Sequence, residues 1–309
     1  MSLNNFTPVL WADTMLVTLR KNLVFGNLFN NDWSGQIQRQ GDTVKINAIG
    51  TITISPYSKD TPINTPQSLT DAQTQLTISQ ASYYNFAIDD VDQAQNEPKV
   101  MAQAMSDAGY YMADTMDQYY AGFYTDAPVA NMIGSSGSFV TPAVGTQANI
   151  GGGTTAYDYL VVLGQKLNEA KIPRNGRWAV IPPWITSFLT QDTRFTSFNT
   201  PQARAAIMTG NLDASGGQAA DAYVGQIANM DIYESINTPH LGGTVGIAGS
   251  QDVVIAGHRM GLAKAEGLTE TEAFRPPDRF SDAVKGLALY GAKTVRPDAI
   301  AVAYFQHPA

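Results

Sequence analysis

Three histidines, His240, His258 and His307, are the residues of this chain best suited to proton transfer or metal ligation. They lie far apart in sequence, and none sits in the His-Glu-x-x-His pattern that places two ligands on one helix face. The chain contains no cysteine, which removes disulfides, thiolate zinc sites and cysteine nucleophiles. Gly291-Ala292-Lys293-Thr294 has some residue types of a phosphate loop. It lacks the adjacent Gly-Lys pair and the upstream glycine that let backbone amides wrap a phosphate, and it reads as strand. Gly134-Ser135-Ser136-Gly137 does not have a glycine two residues on either side of the serine, so it is no nucleophile elbow. Gly151-Gly152-Gly153 is not the dinucleotide fingerprint. Asp89, Asp90 and Asp92 could share a cation. They also read as acids that end a strand just before a helix, whose N-terminal dipole favours negative charge. A hydrolase or lyase using scattered acids such as Asp89 or Glu234 would need a pocket with a shifted carboxylate. No catalytic, cofactor or metal constellation is expected.

Bulk properties narrow the classes further. Of 309 residues, 44% are hydrophobic, enough for a sizeable core. Only 15% are charged, against roughly 25% in ordinary soluble proteins. Interface cores are depleted in charge, so this balance fits a surface largely covered by neighbours. A net charge of −8 argues against a dedicated nucleic-acid binder, which needs a basic patch to displace counterions. It still permits a container that encloses DNA without gripping it. The opening Met1-Ser2-Leu3-Asn4-Asn5-Phe6 does not read as a signal peptide, and no window approaches the ~18 apolar residues of a membrane span.

The elements follow from periodicity. Val9, Leu10, Met15, Leu16, Leu19, Leu23 and Phe25 recur on one helical face, with Arg20 and Lys21 opposite, until Gly26. This segment reads as an arm on a neighbour or as a helix on its own domain. Val44, Ile46, Ala48, Ile52 and Ile54 alternate, a polar turn runs from Tyr57 to Pro66, and the chain returns through Leu76, Ile78, Tyr84, Phe86 and Ile88. That spacing predicts one long two-stranded hairpin, which is marginal in water alone and must find a partner. From Pro98 a helix of about 25 residues, about 38 Å long, carries an apolar stripe that includes Met105, Tyr111, Met112, Met116 and Tyr120. Thr155 and Asp158 come close to a capping box before a second helix. Arg177-Trp178-Ala179-Val180-Ile181 reads as a buried strand, followed by a short helix from Trp184 to Leu189. Short strands are expected near Tyr223, Ile227, Met230 and Ile232, then at Val253 to Ala256, Gly286 to Tyr290 and Ala299 to Phe305. The glycine-rich stretches at 134–153 and 242–249 are expected joints.

Several stretches in this order carry a resemblance. They are Leu19-Arg20-Lys21-Asn22-Leu23-Val24-Phe25-Gly26-Asn27-Leu28, Tyr83 to Asp90, Lys171 to Pro183, Gly225 to Asn237 and, most specifically, Gly286 to Pro297. Together they resemble the Hong Kong 97-type major capsid proteins of tailed bacteriophages, over nearly the whole chain. The resemblance implies an α+β fold: an N-terminal arm at 1–35, an extended hairpin loop at 36–92, a peripheral domain at 93–174 with a spine helix at 98–124, an axial domain at 175–280, and peripheral-domain strands at 281–309. It implies a homo-oligomer of hexamers and pentamers in an icosahedral head, enclosing double-stranded DNA without sequence-specific binding. A separate scaffolding protein and a portal are the further partners. No membrane is involved; the expected location is the virion, after synthesis in the host cytoplasm. Leu16, Leu19 and Phe25 on the arm, and Tyr57, Lys59 and Asp60 near the hairpin tip, are the candidate inter-subunit contacts. A phage tail-tube or other multimeric virion protein is the alternative, and it expects a β-rich chain without a long central helix.

Overall fold

The computed structural model describes residues 24–32, 43–49, 54–56, 59, 65, 71–89, 99–143, 155–192, 222–278 and 280–308. In chain order the helices are α1 (Phe25–Leu28), α2 (Lys99–Ala121), α3 (Ala156–Glu169) and α4 (Pro183–Gln191). The strands are β1 (Thr43–Ile49), β2 (Asp71–Thr77), β3 (Gln80–Asp89), β4 (Met132–Ile133), β5 (Arg177–Ile181), β6 (Tyr223–Ile227), β7 (Met230–Glu234), β8 (His240–Gly242), β9 (Gln251–His258), β10 (Leu262–Phe274), β11 (Ser281–Thr294) and β12 (Ile300–Gln306).

Alternation along the strands builds the larger half. A seven-stranded sheet runs β4-β12-β9-β5-β7-β6, with β8 also on β9. The β4–β12 and β5–β7 pairs are parallel and the others antiparallel. Because successive side chains point to opposite faces, Trp178, Val180, Val253, Ile255, Ile300 and Val302 pack on one side with Met112, Met116 and Tyr120 of α2. Ala179, Ile181, Val254, Ala256, Ala301 and Phe305 pack on the other, with Leu160 and Leu163 of α3 and Ile185 of α4. Both faces are thus dry, which is why β5 and β12 read as unbroken apolar runs.

The Thr155–Asp158 pair forms a full capping box: Asp158 N–H donates to Thr155 Oγ1 at 3.3 Å, and Thr155 N–H donates to Asp158 Oδ2 at 3.2 Å. Thr155→Ala is expected to cost about 1 kcal/mol. A shift in the urea midpoint would read this directly, and an unshifted midpoint would mean that water replaces the cap.

The smaller half is a three-stranded sheet, β10-β11-β3, with the separate ribbon β1–β2 beside it. This corrects the long hairpin. Among the described residues the ribbon pairs from Thr43–Thr77 to Ile49–Asp71. Tyr84, Phe86 and Ile88 instead pair with β11. All seven residues of β1 are already engaged by β2, so β3 has to find another edge. The base of the ribbon stays on its own subunit, where Val44, Ile46, Leu76 and Ile78 pack on Ala263, Ala265 and Leu289. That contact needs Gly291. A Cβ there would stand 2.9 Å from Ile78 Cα and closer still to the Thr77 carbonyl oxygen. Neither backbone atom can swing aside. Gly291→Ala is expected to cost about 3 kcal/mol, seen as a lower denaturation midpoint; a midpoint within error of the parent would show that the ribbon can slide on β11.

Strand β10 has no counterpart in the sequence reading, because its charged Lys264, Glu266 and Glu272 hide the small inward Ala263 and Ala265. Strand pairing also cuts across the expected segments. β10, inside 175–280, pairs with β11, while β12, inside 281–309, completes the seven-stranded sheet. The expected joints are bonded turns where they are described. Ser135 and Ser138 exchange two backbone hydrogen bonds, of 2.9 and 3.0 Å. Ser250 N–H donates to Ile247 O at 2.9 Å and Gly249 N–H to His307 O at 3.0 Å. Residues 144–153 of the first stretch lie outside the described residues.

Candidate functional site

Each histidine is committed to the fold. His258 Nε2 lies 2.8 Å from the Asn175 carbonyl oxygen and its Nδ1 accepts from Met260 N–H at 3.2 Å. His307 packs on the Trp184 ring at 4.8 Å. His240 Nδ1 lies 2.9 Å from Asp252 Oδ1, and Ser250 Oγ donates to Asp252 Oδ2 at 2.6 Å. These are the residue types of a hydrolytic triad in the wrong connection. Nucleophilic catalysis needs the histidine between the serine and the acid. Here the acid lies between them, and His240 Nε2 is turned to the Gly243 carbonyl oxygen at 3.2 Å. Asp252 also accepts from Trp184 Nε1 at 2.8 Å, so it is a buried tie between β9, α4 and β8.

The other buried charges are equally structural. Asp117, 1% exposed on α2, accepts from the backbone amides of Val24 at 3.1 Å and Phe25 at 2.8 Å, and from Asn237 Nδ2 at 3.1 Å. Burial pushes its carboxyl up to about 6, against the pull of those hydrogen bonds. Lys264 Nζ and Tyr120 Oη both donate to Glu266 Oε1, at 2.7 and 2.8 Å. Arg177 is buried among backbone carbonyls. Gly291 to Thr294 lie in β11, paired with β10, and Thr294 Oγ1 donates to Asp126 Oδ2 at 2.6 Å, so no loop is present to hold a phosphate. The Asp89 backbone pairs with Ser281, while Asp90 and Asp92 lie outside the described residues. Among the described residues no cluster of His, Asp or Glu could hold a metal ion, and no helix is long and apolar enough to cross a membrane.

Among the candidate contacts, Leu16, Leu19, Tyr57 and Asp60 lie outside the described residues, and Lys59 sits exposed in a turn. Phe25 is 1% exposed, packed with Phe29, Tyr120 and Trp178 in its own core. It has no surface left for a neighbour, because the Asp117 carboxylate draws the first turn of α1 onto α2. Ile54, beyond the described end of β1, is 93% exposed. The stripe on α2 also differs from expectation. Tyr111 is 68% exposed, facing Tyr83 across a groove of about 910 Å³ between α2 and β3. Met105, Met112 and Met116 carry the buried stripe, and Tyr111 falls roughly 100° from Met112 around the helix.

A molecule with no catalytic constellation among its described residues, a separate two-stranded ribbon and only 15% charged residues points to assembly. The sequence model of the phage capsid protein family matches residues 73–303. The chain belongs to the phage capsid protein family. Solved structures agree in fold. The capsid of Ralstonia phage GP4 superposes with a TM-score of 0.68 at 11% identity, covering 94% of this chain and 92% of that one. A chain of Mycobacterium phage Che8 gives 0.62 at 24% identity, with 91% and 90% covered. A virus-like particle from Pyrococcus furiosus gives 0.54 at 10% identity, with 95% and 97% covered. No curated protein sequence matches. This capsid protein has the mixed helix-and-sheet, Hong Kong 97-like fold that its sequence resembles.

Proposed function

We propose that this protein is the major capsid subunit of a tailed bacteriophage, forming the hexamers and pentamers of an icosahedral head around double-stranded DNA. The observation that carries this reading is the family match over residues 73–303. The superposition on phage capsid chains along almost their entire length supports it. The β1–β2 ribbon is the element that reaches a neighbour. Two strands alone are marginal in water, and among the described residues Val44, Ile46 and Leu76 at its base pack on its own subunit. Residues 99–121 serve as the spine, with the arm at its side. A surface poor in cations, with a net charge of −8, holds DNA weakly and lets packaging proceed. A separate scaffolding protein and a portal would guide closure in the host cytoplasm. The tail-tube alternative is disfavoured by the 23-residue central helix.

Electron microscopy of the purified protein, alone and with its scaffold, tests the reading. Closed shells of uniform diameter are the expected result. Open tubes would return the tail-tube alternative, and monomers under every condition would overturn the proposal.

A further inference from the structure

The edges of the two larger sheets are not protected alike. An open strand edge accepts another chain, and proteins blunt such edges with brevity, bulges, charge or proline. In the seven-stranded sheet, β4 is two residues long and β6 carries a register shift between Tyr223 and Gly225. In the three-stranded sheet, β10 carries Lys264, Glu266 and Glu272 and a register shift between Leu268 and Glu270. The opposite edge, β3, has none of these devices. It is ten residues long and pairs with β11 at successive positions without a shift. From Gln80 to Ile88 it has no charged residue and no proline. Among the described residues β11 is its one partner strand, which leaves its outer backbone edge open. Tyr83 on this strand is 79% exposed. The groove of about 910 Å³ runs along the same edge, between Ser82, Tyr84 and Phe86 on one side and Ala104, Ala108 and Tyr111 of α2 on the other.

We propose that β3 pairs antiparallel with β3 of a second copy of this chain, joining two three-stranded sheets into one of six strands about a dyad near the middle of the strand. The pairing rests on the capsid reading for its supply of copies, and on the edge itself for its geometry. Two copies of an uncharged strand meet without like charges opposite each other. Asp89, the one charged residue of β3, lies at its end, so an antiparallel pair holds the two Asp89 residues at opposite ends of the seam. Tyr83, Tyr84 and Phe86 give the strand the aromatic composition that favours cross-strand pairs. Strands of equal length leave no overhang, and the seam is about 34 Å long.

A dyad also closes the contact. The six-stranded sheet ends on β10 at both sides, and those edges are blunted, so growth stops at two copies. Antiparallel copies of one strand are related by an axis normal to their sheet. Each α2 therefore stays on the same face, with its Tyr111 beside the seam.

Exchanging charge at the seam tests the pairing. Tyr83 and Ala87 are exposed, so both can be replaced without opening the core. One variant carries Tyr83→Lys and Ala87→Lys, the other Tyr83→Glu and Ala87→Glu. Sedimentation equilibrium of the unassembled full chain should show the parent as a reversible dimer, and each variant as at least about tenfold weaker in self-association. An equal mixture of the two variants should return association to within about twofold of the parent, because lysines then face glutamates. Parental self-association of the variants overturns the proposal, and so does a parent that stays monomeric. A loss that mixing does not reverse also overturns it, by assigning the edge to a different strand. If the lysine variant does not fold, undiminished self-association of the glutamate variant still overturns the pairing. Shell formation by the parent is scored separately. Shells without a charge-reversible dimer leave the capsid reading standing and this pairing overturned; a charge-reversible dimer without shells does the reverse.

Discussion

Replacing residues 50–70 with Asn-Gly is expected to leave a folded subunit that forms no closed shell. Ile49 and Asp71 face each other across the ribbon, so a two-residue turn can join them without disturbing the ladder. The base contacts of Val44, Ile46 and Leu76 on Ala263, Ala265 and Leu289 are retained. Stability should change by no more than about 0.5 kcal/mol, because the described part of the deleted segment is exposed, Ile54 and Lys59 included. Assembly should be lost outright, since the ribbon is the element proposed to reach a neighbour. Sedimentation and electron microscopy read the outcome. Shells of normal diameter from this variant would show that the ribbon tip is not what joins subunits.

Arg177→Met is expected to destabilise the fold by about 3 kcal/mol. The guanidinium is 1% exposed. It donates through Nε to Pro173 O at 2.8 Å, through Nη1 to Gly164 O at 3.3 Å, and through Nη2 to Ile172 O. Ile172 and Pro173 lie just beyond the C-terminal end of α3, where the dipole favours a cation, and Gly164 lies within the helix. Methionine fills the volume but removes the donor from all three carbonyls, the buried one of Gly164 among them. Arg177→Lys should fall between the two, because one ammonium cannot fork across three carbonyls. Urea denaturation of the subunit measures both. A loss below about 1 kcal/mol for the methionine variant would mean that water reaches these carbonyls and the guanidinium is dispensable.

Local chemistry was legible where it repeats. The period of α2, the Thr155–Asp158 cap and the alternation in β5, β9 and β12 could be read because each concerns residues a few positions apart. The absence of a triad was legible only as missing motifs. The Ser250–Asp252–His240 contact shows why motifs alone do not decide, because connection, not residue type, separates a tie from a catalyst. Asp117 carried no signal in the sequence. It stands among the buried Ala113, Met116, Tyr120 and Ala121 of α2, and its partners Val24 and Asn237 lie 93 and 120 positions away. Tyr111 was misplaced because a helical stripe has a width that periodicity does not set. How much of it is buried depends on what packs against it.

By itself, the sequence determined the longer helices and most of the strands, the dry faces of β5 and β12, and the lack of thiolate chemistry. It also carried the ordered set of segments by which the family could be recognised. Only the tertiary structure decided which strand meets which: β3 with β11 rather than β1, β12 in the large sheet, and β10 where no strand had been read. The reason is geometric. Alternation says which side of a strand is apolar, but every strand with that pattern offers the same backbone edge. The choice among edges is made by contacts such as Gly291 under Thr77, between residues more than two hundred positions apart.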